Sequence, residues 1–288
     1  MIIRRTAGRV VEESTVFVAP NVRPRRNKRK GSTTAEKREA NEKNCVRALA
    51  RGMNCNFGYG DLMLTLKYDE AGLARVEDAA RLLQAEDGAL SWEDALMDAA
   101  EALGKKALRR MRPEFAKLGA PLRYFFTTSD RDGKTGEKPV RVHHHLMLPR
   151  VAFEAVAKAW ELGSVDYQIL PDLPDLTPIA VYWCRQVRRR EGRKLYTPSR
   201  NLKKPVVNER WARPGEELRP DRRGLLLDRN EWEPGRPQYI RFLKDGKGRA
   251  APEEFGGVPE GMTRTDGPEL PRTCAMPMGR DRRERADE

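Results

Sequence analysis

The chain has 288 residues, a formal net charge of +13 and charged side chains at 34% of its positions. That length allows one large domain or two small ones, and the surplus of cations points to an anionic partner, nucleic acid before membrane. No apolar run reaches the roughly 20 residues of a membrane span. The N-terminal MIIRRTAGRVVEE has no signal-peptide apolar region, and the four cysteines show no CxxC spacing, so a reduced, cytoplasmic protein is expected rather than a disulfide scaffold or zinc finger.

Residues 1–20 read as a short strand or hairpin, with RVVEESTVFVAP as its β-rich part. The run RPRRNKRK, Arg23 to Lys30, is a basic linker that could also grip phosphates. Residues 34–53 read as a helix with Thr34 at its N-cap. A turn at Asn56-Phe-Gly-Tyr-Gly60 leads into DLMLTLKY (61–68), a core strand in which Leu62, Leu64 and Leu66 alternate with Met63, Thr65 and Lys67. One helix is expected from Glu70 to Gln84. A second is entered through Ser91-Trp-Glu-Asp94, carries Leu96, Ala99, Leu103, Ala107 and Met111 on its inner face, and should kink or end at Pro113.

LRYFFTT (122–128) is a strand, SDRDGKTGEKP (129–139) an exposed loop, and VRVHHHLMLPR (140–150) the strand that completes the hairpin. VAFEAVAKAWEL (151–162) reads as an amphipathic helix closed by Gly163, and SVDYQIL (164–170) as another strand. Thr177-Pro178 opens a helix expected to end near Gly192. Past about residue 210 the chain is rich in Pro, Gly, Arg and acidic residues, and only QYIRFL (238–243) looks strand-like. The expected division is therefore an N-terminal strand and basic linker (1–43), a central domain (44–210) and a partly disordered C-terminal extension (211–288).

All three histidines of the chain fall in the 140–150 strand. Side chains alternate along a strand, so His143 and His145 share one face and His144 takes the other. Two imidazoles close together on one face make a natural pair of metal ligands, although a histidine in an apolar strand is often only a satisfied core residue. On the 177–192 helix, Tyr182, Arg185, Gln186 and Arg189 share a face. A tyrosine beside cations suits a nucleophile, because positive neighbours favour the phenolate. The ordinary alternative is a buried tyrosine on an amphipathic helix with a solvated basic edge. The segment Ser199-Arg-Asn-Leu-Lys-Lys-Pro205 is polar, basic and placed to meet a phosphate backbone.

Together these stretches resemble the HUH endonucleases, the rolling-circle replication initiators and conjugative relaxases, whose signature is a histidine–hydrophobic–histidine strand followed by a helix bearing YxxK. The resemblance runs from about Asn44 to Pro205. It includes Asn56-Phe with Gly60-Asp61 and the LTL strand as a first motif, RVHHHLML as the metal motif and SRNLKKP as a closing segment. Three positions depart from the pattern: His144 stands at the central hydrophobic position, Arg185 at the lysine of YxxK, and Ser129 where a ligating glutamate is common, with Asp130 or water as substitute ligand.

The resemblance implies an α+β fold, an antiparallel sheet of about five strands with helices mainly on one face. It implies that His143 and His145, with Asp130, hold Mg²⁺ or Mn²⁺. Tyr182 would attack a DNA strand to leave a 5′-phosphotyrosine, with Arg185 offsetting charge. Arg188, Arg189, Arg200, Asn201, Lys203 and Lys204 would contact the backbone. The implied partners are single-stranded DNA or an origin hairpin, with a host helicase and polymerase, because the chain has no Walker loop; no membrane or nucleotide cofactor is expected. The competing readings are a non-catalytic nucleic-acid binder on the same fold, a conjugative relaxase, and a metal-dependent hydrolase that uses water in place of the tyrosine.

Overall fold

The computed structural model describes residues 1–17, 35–150, 154–188, 190, 193–230 and 236–244. In chain order the elements are β1 (Ile2–Ala7), β2 (Val10–Thr15), α1 (Ala35–Asn56), β3 (Leu62–Lys67), α2 (Glu70–Glu86), α3 (Trp92–Lys117), β4 (Phe125–Arg131), β5 (Pro139–Leu148), α4 (Glu154–Ala159), β6 (Val165–Ile169), α5 (Thr177–Arg185), β7 (Thr197–Pro198), β8 (Val206–Arg210), β9 (Leu225–Arg229) and β10 (Tyr239–Leu243). They build two antiparallel five-stranded sheets, ordered β8-β1-β2-β10-β9 and β6-β3-β5-β4-β7. The class is α+β. No helix among the described residues is long and apolar enough to cross a membrane.

The β6-β3-β5-β4-β7 sheet is covered on both faces, not mainly on one. Leu64 and Leu66 of β3, Phe126 of β4 and Leu146 of β5 pack with Val76 of α2 and Ala107, Met111 and Phe115 of α3. The neighbouring positions Met63, Phe125 and Met147 point the other way, against Leu49 and Met53 of α1 and Ile179 and Trp183 of α5. Strands apolar at consecutive positions need cover on both sides, because either face left to water would lose its burial.

Local signals set the starts of α2 and α3. The Ser91 hydroxyl accepts from the Asp94 amide at 3.2 Å, closing the start of α3. Asp69 does the same for α2 through the Gly72 amide, at 2.6 Å. Pro113 does not end α3, which runs on to Lys117; Met111 and Phe115, both fully buried, anchor the turns on either side of it. The helix at 177 is much shorter than its sequence suggests and stops at Arg185. The chain beyond it is drawn to acidic residues of α3: Arg188 meets Asp94 at 2.7 Å and Arg190 meets Asp98 at 2.6 Å. The expected N-cap Thr34 and the basic run Arg23–Lys30 lie outside the described residues.

Segments that look separate in sequence share the other sheet: β1 pairs with β8, β2 pairs with β10, and β10 carries β9 at the edge. β8 and β9 escape the sequence pattern because they are edge strands with little buried surface. Ile2, Val11, Leu218, Ile240 and Phe242 make this sheet's small core. It is tied to α1 by the buried Glu12, which accepts from Arg51 at 2.7 Å, and by Arg47, whose guanidinium lies 3.9 Å from the Tyr239 ring centroid.

Candidate functional site

β5 is flanked by β3 and β4, with His143 opposite Lys67 and Ser129, and His145 opposite Thr65 and Thr127. Alternation along β5 sends His144 to the other face, where it is fully buried. There its ring nitrogens lie 2.6 Å from the Tyr68 hydroxyl and 3.0 Å from the Thr128 hydroxyl. His144 is thus the satisfied core histidine, and burial brings its pKa down to about 3.

His143 and His145 meet on the α1/α5 side. The His143 Nδ1–H donates to the Arg141 carbonyl at 3.0 Å, which leaves Nε2 bare. His145 Nδ1 lies 3.3 Å from Thr65 Oγ1. The two Nε2 atoms face each other at 3.2 Å. Gln186, the residue that closes α5, places Oε1 3.1 Å from His145 Nε2. Burial lowers the pKa of His143 and brings that of His145 down to about 3, so both rings are neutral at pH 7 with lone pairs available. Two imidazole nitrogens and an amide oxygen in this arrangement could hold a divalent cation, each histidine oriented through its other ring nitrogen.

Asp130 is not part of this set. A β-bulge separates Ser129 from Arg131, and the amides of Asp130 and Arg131 both donate to the Gln186 carbonyl. The Asp130 carboxylate then accepts from the Arg188 amide at 3.0 Å and lies 3.4 Å from its Nε. Among the described residues no cluster of three or more His, Cys, Asp or Glu side chains is placed to hold a metal. Ser129, on the histidine face, is fully buried and its hydroxyl has no partner. The sequence places Gln186 on the tyrosine face but gives it no role. Its spacing, one helical turn after Tyr182, is the signal that could have found it.

Tyr182 stands beside the pair, its ring centroid 6.2 Å from that of His145. Burial pushes its hydroxyl pKa up, the reverse of the phenolate-favouring shift expected from cationic neighbours. Arg185 is exposed and donates through Nη1 to the Lys134 carbonyl at 3.0 Å, on the loop between β4 and β5. That loop also covers the tyrosine: a Cβ built on Gly133 would come within 2.3 Å of Tyr182 Cε2.

The expected DNA contacts divide. Arg188 is held in ion pairs with Asp94 and Asp130, so it braces the end of α5 instead of facing solvent. Arg189 lies outside the described residues. Arg200, Lys203 and Lys204 are exposed, on a segment pinned by Asn56, whose Oδ1 accepts from the Lys203 amide at 2.7 Å. Asn201 donates to the Leu122 carbonyl at 3.2 Å.

A cavity of about 520 Å³ opens from the histidine pair across β3 towards the edge strand β6, its wall including Lys67, Arg141, Asp166, Gln168 and Tyr182. It has the mixed apolar and polar lining of a ligand site. No family model, no curated protein and no solved structure matches this chain.

Proposed function

We propose that the chain is a metal-dependent DNA strand transferase of the HUH type, which nicks a single strand through Tyr182 and thereby starts rolling-circle replication. The observation that carries this reading is the convergence of His143 Nε2, His145 Nε2 and Gln186 Oε1 beside Tyr182, on the wall of the cavity. A divalent cation held by these three groups would supply Lewis-acid polarisation of the scissile phosphate. With no carboxylate in the donor set and imidazole nitrogen dominant, Mn²⁺ fits better than Mg²⁺.

In the reaction the Tyr182 oxygen forms a bond to phosphorus and the bond from phosphorus to the 3′-oxygen breaks. The phenol proton leaves to solvent and the 3′-oxygen takes one up. The products are a 5′-phosphotyrosine and a 3′-hydroxyl that a host polymerase can extend. Exposed Arg200, Lys203 and Lys204 would carry the strand's phosphates.

The test is to mix the protein and Mn²⁺ with single-stranded oligonucleotides tiling the DNA around its own gene, and to look for a complex that survives a denaturing gel. The expected result is an adduct whose digest places the nucleotide on the peptide containing Tyr182. Cleavage without an adduct would point to the water-using hydrolase. Tight, salt-sensitive binding with no cleavage on any tile would support the binder, a reading favoured by the loop lying over Tyr182 and by Arg185 facing away from the cavity.

The role given to Gln186 has its own expected result. Gln186→Ala should weaken Mn²⁺ binding by roughly tenfold to a hundredfold, the usual effect of losing a supporting group at a metal site. Gln186→Glu, which adds a charge at the same reach, should tighten it. Titration calorimetry with Mn²⁺ and no DNA reads both changes; equal affinities for all three proteins would remove Gln186 from the donor set.

A further inference from the structure

We propose that Lys67, held by Asp166, is the cation that meets the scissile phosphate; this rests on the nicking reading above. A site with neutral ligands and a phosphodiester substrate needs positive charge beside the metal position, because charge on the phosphoryl oxygens must be balanced as bonds to phosphorus change. The YxxK pattern would place that charge at Arg185, but in this chain Arg185 is turned out to the Lys134 carbonyl.

Lys67 is the final residue of β3 and stands directly opposite His143 in the antiparallel ladder. Side chains paired in this way lie on one face with Cβ atoms roughly 5 Å apart. Lys67 therefore shares the face of the metal-binding pair, and it lines the cavity together with His143, His145 and Tyr182. Its backbone is fixed on both sides: its amide donates to the Ser164 carbonyl at 2.9 Å, and its carbonyl accepts from the buried Trp160 indole at 3.1 Å.

The Lys67 ammonium pairs with Asp166, the side chain one strand further out on the same face. Half of the Lys67 side chain remains exposed, at 51%. The ammonium is thus kept over the cavity by a carboxylate at its rim and is open to a phosphate arriving from solvent. Arg141, the other cation lining the cavity, spends a guanidinium nitrogen on the Asp69 carbonyl at 2.9 Å.

Two readouts on the full chain test this. The first is binding of labelled oligo(dT) across a salt series, with no metal and no cleavage. Lys67→Met should lower the slope of log affinity against log salt by about one, the signature of one lost phosphate contact. Lys105→Met, a lysine on α3 paired with Glu101, should leave it unchanged. The second is the rate of adduct formation on a tile that wild type nicks. Lys67→Met should lower that rate by roughly a hundredfold or more, and Lys67→Arg should recover most of it.

The inference is overturned if Lys67→Met matches wild type in slope and rate, or if Arg185→Met takes both losses in its place. A wild type that forms no adduct, yet shows the slope change on Lys67→Met, would remove the nicking reading while retaining Lys67 as a phosphate contact.

Discussion

Gly133→Val should reduce adduct formation by roughly a hundredfold to ten-thousandfold, approaching the complete loss expected of Tyr182→Phe, although residue 133 carries no reactive group. A Cβ at this position would come 2.3 Å from Tyr182 Cε2 and 2.8 Å from the hydroxyl itself, and valine adds two more carbons. One partner must move, and the loop is the stiffer of the two. The Asp132 carboxylate accepts from the amides of Lys134, Thr135 and Lys138 at 2.9, 2.8 and 3.0 Å and from the Thr135 hydroxyl at 2.7 Å. The Gly136 amide donates to the Asp132 carbonyl at 3.1 Å, and Gly136, at a φ of +76°, backs onto Arg185. The tyrosine ring therefore gives way. A displacement of about 1 Å from an in-line position is enough to cost two orders of magnitude. Mn²⁺ affinity should stay within about threefold of wild type, because the histidines are held from β3 and β5 and not from this loop. Gly88→Ala, where an added Cβ meets nothing within 4 Å, is the control. Full adduct formation by Gly133→Val would show that the loop leaves Tyr182 when DNA arrives.

The sequence makes the histidine face legible because strand periodicity is rigid: His143 and His145 must point together once β5 is a strand, whatever packs around it. The α3 cap at Ser91 and the core positions of β3 are legible for the same reason, since each depends on neighbours within one turn or one pleat. What sequence misses depends on partners far away in the chain. α5 ends early because Arg188 and Arg190 find Asp94 and Asp98 across nearly a hundred residues. Asp130, a ligand candidate by its place next to Ser129, sits at a bulge and has its carboxylate bonded to Arg188, a partner 58 residues on that the local pattern does not show. In sequence Lys67 is only one of the residues that alternate with the leucines of β3, and only the β3–β5 register sets it opposite His143. The second sheet draws its strands from both ends of the chain, a pairing that no local pattern encodes.

His144→Ala should destabilise the fold by about 3–5 kcal/mol, from a buried cavity together with a Thr128 hydroxyl left without its acceptor and a Tyr68 oxygen left without its donor, whereas His143→Ala should cost no more than about 1 kcal/mol at its partly open position. The His144 ring is wedged between Phe126, stacked at 4.9 Å and 28°, and the edge of Trp160 at 5.5 Å. One tautomer satisfies every polar group in this layer: the Thr128 hydroxyl donates to Nδ1, Nε2–H donates to the Tyr68 oxygen, and the Tyr68 hydroxyl donates onward to the Ala100 carbonyl at 3.4 Å. Removing the ring breaks this relay in the middle, between two buried neighbours. Tyr68→Phe, which leaves the ring in place and removes one hydroxyl, should cost a smaller amount, about 1–2 kcal/mol. Urea unfolding midpoints at constant slope measure all three costs. The folded fraction of His144→Ala should bind Mn²⁺ as wild type does, while His143→Ala folds normally and loses the ion. The opposite pattern, a stable His144→Ala that no longer binds Mn²⁺, would mean that the ring has left the α2/α3 side and that all three histidines serve the metal. The expected pattern instead assigns the middle histidine to the core and the outer two to chemistry, an allocation set by a side-chain period of two on a strand covered from both sides.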